Sequence, residues 1–316
     1  MRSEARSTAP LYPGHYHPAV VDRHIEVNAM AVRHALARTF TGVDPEGHAW
    51  RGTTGVGATV VTVDVEHGAR GEGEVLVHAW ARALDAGPLD ARIARMVVCE
   101  NAELVLGRFR HHDGGILVEH TILAGTTMDP VEVQSSVWAV GWAAAAWAPR
   151  LHALLSDAVP VPPAPQTPAA RLRDAADHVE MTTRRVRRYL DEAHGGFQHH
   201  PDWGFHGAFG SARVFVDVLP VLDDSTAVRA SAPVLSDIDL GDALALRAAE
   251  LTAQTRFGAF MHIPERRELW FQHAILGDDL DEVELEAAIG IVAEVADGWD
   301  DTLAAEFGGK RYADLG

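Results

Sequence analysis

The sequence predicts an α+β fold built as a tandem of two α-β-β-α-β-β-α units, each an antiparallel sheet with helices on one face. Three observations predict it. The chain reads the same way twice. Trp50 to Val65 lies without a gap on Trp203 to Val218, pairing Gly57 with Gly210 and Asp64 with Asp217. The register returns for Ala79–Phe109 on Ala230–Phe260 and for Asp129–Leu151 on Asp281–Leu303, at a shift of about 152 residues throughout. Both copies also change hydrophobic spacing, from helical to period-two and back, at matching places. The turns between paired strands are too short for parallel crossovers, which leaves antiparallel pairing.

Each unit opens with a helix, marked by Ile25, Ala29, Val32 and Leu36 in the first copy and by Leu172, Ala176, Val179, Thr183, Val186 and Leu190 in the second. Two alternating strands follow, Thr59–Val65 and Val75–Leu84, repeated as Arg213–Leu219 and Thr226–Leu235. The glycine stretches Gly52-x-x-Gly55-x-Gly57 and Gly204-x-x-Gly207-x-x-Gly210 precede these strands and read as loops, since a phosphate-cradling loop needs glycines after a strand and opening a helix. A short helix comes next, Leu89–Ala102 or Leu240–Ala253. After it, Leu104–Arg110 turns through His112-Asp113-Gly114-Gly115 into Ile116–Leu123, and Thr255–Met261 turns near Pro264-Glu265-Arg266 into Leu269–Leu276. A long helix closes each unit. Asp129-Pro130 and Asp281 supply its caps, and Val133, Val137, Val140, Ala144, Trp147 and Leu151 its first buried stripe.

The expected organisation is a flexible N-terminus (1–19), a first domain (20–157), a proline-rich linker (158–168), a second domain (169–307) and a C-terminal tail (308–316). With 47% hydrophobic and 23% charged residues in 316, the chain can bury two ordinary cores. A net charge of -18 opposes binding to phosphate backbones and anionic lipid, so no nucleic-acid partner is expected. No apolar run reaches a membrane span and the N-terminus lacks a secretory apolar stretch, so the expected location is the cytoplasm without membrane insertion. Cys99 is the single cysteine and reads as a small buried thiol, with neither a disulfide nor a Cys-rich zinc site available.

The hairpin Gly107-x-Phe109 (turn) Val118-x-His120-x-Ile122-Leu123, the acidic helix start after it and the terminal amphipathic helix are similar to the YbjN and type III secretion chaperone-like superfamily. The resemblance covers residues 20–155 and 168–307. It implies peptide-binding chaperone domains that hold extended client segments on apolar patches, without cofactor, and two copies that pair as an internal pseudo-dimer, with a homodimer as a further possibility. It does not imply that a type III secretion system is present.

Catalytic chemistry finds little in the residues. Asp64 and Asp217 are single carboxylates on strands, without the partner that acid/base work needs. The 18 histidines include His15-Tyr-His17, His111-His112 and His199-His200, but none falls in a spaced metal-ligand array, and no metal site is expected. His120 and His273 match across the copies and read as hydrogen-bonded core imidazoles.

Strand parity turns a second face of each sheet away from the core valines. That face carries Trp80, Arg82, Arg108 and Leu117 in the first copy and Phe215, Phe257 and Trp270 in the second, the candidate peptide-binding set. The alternative is that the linker or the other copy covers them. Trp138 and Trp142 make the first terminal helix apolar on a second side, where the second copy has Gly290 and Glu294, so they are candidate interface residues. The leading reading is a non-enzymatic adaptor for a protein or peptide client. A regulatory scaffold taking a small ligand in the groove between copies is the alternative, and a metalloenzyme built on His199, His200 and His206 is a third.

Overall fold

The computed structural model describes residues 18–46, 49–53, 59–67, 75–124, 128–156, 160–165, 172–194, 196–200, 204–221, 225–278 and 280–315. His15, His17, Gly55, Gly57, Trp203 and both ends of the expected linker lie outside the described residues.

The N-terminal half runs α1 (Pro18–Thr39), β1 (Thr41–Glu46), β2 (Ala49–Thr53), β3 (Val60–His67), β4 (Val75–Asp85), α2 (Ala91–Glu100), β5 (Arg108–His112), β6 (Gly115–Ala124) and α3 (Pro130–Leu155). The C-terminal half repeats the order with α4 (Leu172–His194), β7 (Gln198–His200), β8 (Gly204–Phe209), β9 (Ala212–Pro220), β10 (Thr226–Leu235), α5 (Asp242–Gln254), β11 (Ala259–Ile263), β12 (Glu268–Leu276) and α6 (Glu282–Phe307). A short 3-10 turn, Tyr312–Leu315, ends the described chain. The two sheets, ordered β1-β2-β3-β4-β6-β5 and β11-β12-β10-β9-β8-β7, are antiparallel throughout, so the fold is α+β with two similar halves.

Each sheet has two more strands than the sequence suggests. Two of these additional strands, β2 and β8, fall on the glycine stretches read as loops. Gly52 sits in β2, where a Cβ would overlap the Phe40 ring, and Gly207 sits in β8 under the Phe197 ring. Glycine disfavours a strand in isolation, but here its missing side chain makes room for an aromatic ring laid on the strand.

The matched glycines of the hairpins have a stricter role. Gly107 (φ +83) and Gly258 (φ +67) both hold left-handed backbone, and a Cβ on either would collide with the carbonyl oxygen of Glu119 or Gln272 on the neighbouring strand. A register shift recurs as well, at Arg82/Leu84 in β4 and Pro233/Leu235 in β10.

The helices start where the sequence places them. The Asp90 side chain accepts from Ile93 N, Asp129 accepts from Val131 N ahead of Pro130, and Asp281 forms a reciprocal capping box with Glu284. One core unites Val32, Leu36, Val63, Val118, Val137 and Val140, with Phe109 meeting Trp147 edge-on at 5.1 Å. The other unites Val186, Leu190, Val214, Val216, Ile289 and Val292, with Phe260 meeting Phe271 at 5.1 Å.

A third cluster joins the halves. Leu106 and Ala139 pack with Val221, Ala227, Ala274 and Leu276, and Trp138 and Trp142 lie partly buried against them. The second apolar side of α3 therefore faces the C-terminal sheet, whereas Glu294 and Asp297 of α6 are exposed. Among the described residues, no helix is long and apolar enough to cross a membrane.

Candidate functional site

The halves meet mainly where α2 packs on α5, with α2 also lying against β11 and α5 against β5. At the end of α2 the Asn101 amide brackets the Phe109 backbone, accepting from its N at 2.6 Å and donating to its O at 3.2 Å. Thr252 of α5 occupies the matching place, with its hydroxyl accepting from Phe260 N at 3.0 Å. The backbone oxygens of these two residues each accept a bond across the junction. Gln272 Nε2 donates to Asn101 O at 2.7 Å, and Arg108 Nη1 donates to Thr252 O at 3.2 Å.

Arg108 is therefore not on an open face. It is 4% exposed, and besides Thr252 it donates to Thr255 Oγ1 at 2.9 Å, Gly258 O at 2.7 Å and Glu119 Oε2 at 3.1 Å. The Thr252 carbonyl is at the C-terminal end of α5, where helix oxygens lack partners and attract a cation, and the Gly258 carbonyl lies just before β11. Glu119 also forms an ion pair with Arg110, whose Nε lies 2.7 Å away without the alignment of a hydrogen bond. Burial works against its charge, but the guanidinium groups of Arg108 and Arg110 hold its carboxyl below the ordinary value. Burial likewise pulls Arg108 down, against the pull of Glu119. With this many acceptors on one side and two guanidiniums on the other, the pair is ionised.

His120 and His273 sit near the same junction. His120 Nε2 lies 3.2 Å from Ala274 O, which can only accept, so Nε2 carries the proton and Nδ1 accepts from the Ser136 hydroxyl at 2.8 Å. Burial lowers its pKa to about 4. His273 packs edge-on against Phe257 at 5.3 Å, and burial, with His120 and Arg108 adding to it, lowers its pKa to about 3. Both imidazoles are neutral at neutral pH. Phe257 is thus partly buried as the wall of a histidine and does not stand on an open face.

Leu117, 1% exposed, is also buried. Trp80 is half-buried, with its indole donating to Asp64 Oδ2 at 2.8 Å, and the exposed Arg82 pairs with Asp85 at 2.7 Å. These two lie on the first sheet, apart from the second group that the structure brings together.

That second group forms a cleft of about 490 Å³ between the halves. Its floor is the outer face of the second sheet, with Phe215 and Trp270 5.4 Å apart and Met261 paired opposite Trp270. One wall is the end of α2 (Cys99, Glu100, Ala102, Glu103) with Arg150 of α3, and the other is the β11–β12 turn, Ile263 to Arg266. Trp270 is only 5% exposed, because Phe215 covers it and its indole N–H is turned to Glu268 Oε2 at 2.8 Å. Tyr312 stands edge-on to Phe215, its ring 6.4 Å away.

The charges of the cleft are mostly paired. Arg150 donates Nε and Nη2 to Glu100 at 2.7 and 2.9 Å, and Arg229 donates Nε and Nη2 to Asp217 at 3.1 and 2.6 Å. Burial, reinforced by Glu100, pushes the Cys99 thiol up to about 11, so it lines the cleft as a neutral, unreactive group. Glu100, Arg150 and His262 had escaped the sequence reading. Each belongs to a different element, and no spacing along the chain marks them as neighbours.

Two histidines of the metalloenzyme alternative serve as ring partners: His199 lies 5.3 Å from Phe205, and His206 lies 5.9 Å from Phe215. Among the described residues, no three His, Cys, Asp or Glu side chains come together as a metal site.

Residues 176–315 match a family model described as T3SS (YopN, CesT) and YbjN peptide-binding chaperone 1. The match spans α4 from its fifth residue through the C-terminal turn, so it includes Phe215, Trp270, Met261 and the β11–β12 wall of the cleft. It supports a general role in binding peptides as a chaperone. No curated protein matches the chain.

Proposed function

We propose that this protein is a non-enzymatic cytoplasmic chaperone or adaptor that holds an extended client segment in the cleft between its halves. In this reading residues 20–157 are a second copy of the matched domain, joined through the linker at 158–168 to the copy at 169–307. The two copies form an internal pseudo-dimer, so the cleft needs no second chain. The observation that carries the reading is the aromatic floor of Phe215 and Trp270, built from the part of the chain similar to peptide-binding chaperones and flanked by one polar wall from each half. Aromatic anchors rimmed by polar groups are how short segments gain most of their binding energy. Trp80 and Arg82, the accessible members of the first sheet's face, are a secondary contact surface for a longer client.

The test is Phe215→Ala in the full chain. Phe215 is only partly buried but packs on Trp270, so the expected result is a modest loss of stability with apolar-peptide affinity weakened by roughly 30-fold, the equivalent of about 2 kcal/mol. Full affinity with a large drop in melting temperature would make the ring a core residue and remove the cleft as the site.

A small organic ligand is the second reading, favoured by a volume that lies within the usual range for such sites. A peptide-displacement assay separates the two, because a small ligand would block the cleft without contact to Trp80.

A further inference from the structure

Building on the cleft as a peptide site, we infer that its occupant is basic: an extended segment that places an arginine or lysine side chain between the aromatic floor and the carboxylates of the rim. Two of the lining cations are already committed. Arg150 spends its fork on Glu100 and a further N–H on Pro162 O at 2.6 Å, and Arg229 spends its fork on Asp217. Neither offers a bidentate face to an acidic side chain.

The uncommitted charge of the lining is mainly acidic. Glu103 just after α2 and Glu265 at the tip of the β11–β12 turn are both exposed, and neither side chain makes a hydrogen bond or ion pair among the described residues, although the charge of Glu103 also acts on Arg150. Arg266, exposed at the same turn, is the one remaining lining cation and has an interaction of its own.

A buried acceptor points the same way. His262 lines the cleft, is 4% exposed, and has Nε2 3.0 Å from Ile238 O. A carbonyl can only accept, so the proton is on Nε2 and Nδ1 is a bare acceptor, buried and without a partner among the described residues. A buried acceptor without a donor costs about 1–3 kcal/mol, so an occupant rich in N–H groups is favoured over one rich in oxygens. A guanidinium has only donors, stacks on aromatic rings and pairs with carboxylates. The chain's net charge of -18 draws cations toward the cleft at long range.

The test titrates the full chain, by fluorescence anisotropy, with three labelled peptides of equal length in which leucine alternates with arginine, glutamine or glutamate. The arginine peptide is expected to bind about tenfold or more tightly than the glutamine peptide, with an advantage that shrinks as salt is raised, and the glutamate peptide is expected to bind most weakly. In Glu103→Gln/Glu265→Gln the advantage of the arginine peptide over the glutamine peptide should fall at least threefold. Equal binding of all three, a preference for glutamate, or an arginine advantage untouched by the double substitution overturns the inference and leaves peptide binding standing. Failure of all three peptides to bind overturns both.

Discussion

Arg108→Ala is expected to cost about 3–5 kcal/mol of folding stability, measured by urea denaturation at neutral pH, because it strips a buried ion pair of one partner. Glu119 keeps Arg110, but the carbonyls of Thr252 and Gly258 lose their donor at the junction of the halves. The double variant Arg108→Ala/Glu119→Ala should cost clearly less than the sum of the single ones, since the second change removes the carboxylate that the first leaves underpaired. A loss below about 1 kcal/mol, or strict additivity, would mean that the pair does not tie the halves together.

Stability should also fall between pH 6.5 and 4.5, above the range in which most carboxylates titrate. His120 and His273 are held neutral by burial, with pKa values lowered to about 4 and about 3. Unfolded, each returns to about 6.5. A depressed histidine gives its full contribution above the unfolded value, and that contribution is lost as pH falls toward the folded one. For His120 alone the whole loss amounts to about 3 kcal/mol. Glu119, His78 and Arg108 face the pair from the sheet, and Glu132 and Glu284 face it from the helices. The carboxylates moderate the loss and the cations add to it. His273→Phe, which keeps a ring against Phe257, should retain stability at pH 7 and lose less of it at pH 5 than the parent. Equal losses in both proteins would show that the acid sensitivity arises elsewhere.

Much of the fold was legible because repetition doubles a weak signal. Gly107 and Gly258 match because each faces a neighbouring carbonyl, and Asp129 and Asp281 match because each caps a helix. The additional strands were not legible, since Gly52 and Gly207 look like loop residues until Phe40 and Phe197 are laid over them.

The candidate site divides along the same line. Parity put Phe215 and Trp270 on one face, and the structure places them together. Parity put Arg108 and Leu117 on such a face too, but it carries no information about what the other half lays over a sheet. Arg108 is covered by the end of α5, which lies about 145 residues away in sequence, and no local pattern reports such a contact. Cleft walls drawn from α2, α3 and the β11–β12 turn are hidden for the same reason.

The pairing of two similar halves gives this chain two sheet faces with different fates. At the junction the face is filled by Arg108, Glu119 and Gln272, and beyond it the second sheet leaves Phe215, Met261 and Trp270 under a polar-walled cleft. The most direct measurement is a ¹⁵N and methionine-methyl NMR titration of the full chain with the leucine–arginine peptide. The Trp270 indole N–H and the Met261 methyl should shift progressively and saturate together, while the Trp147 indole, buried in the first core, stays in place. Saturable shifts confined to Trp80 and its neighbours, with Trp270 and Met261 unmoved, would contradict the account and place binding on the first sheet.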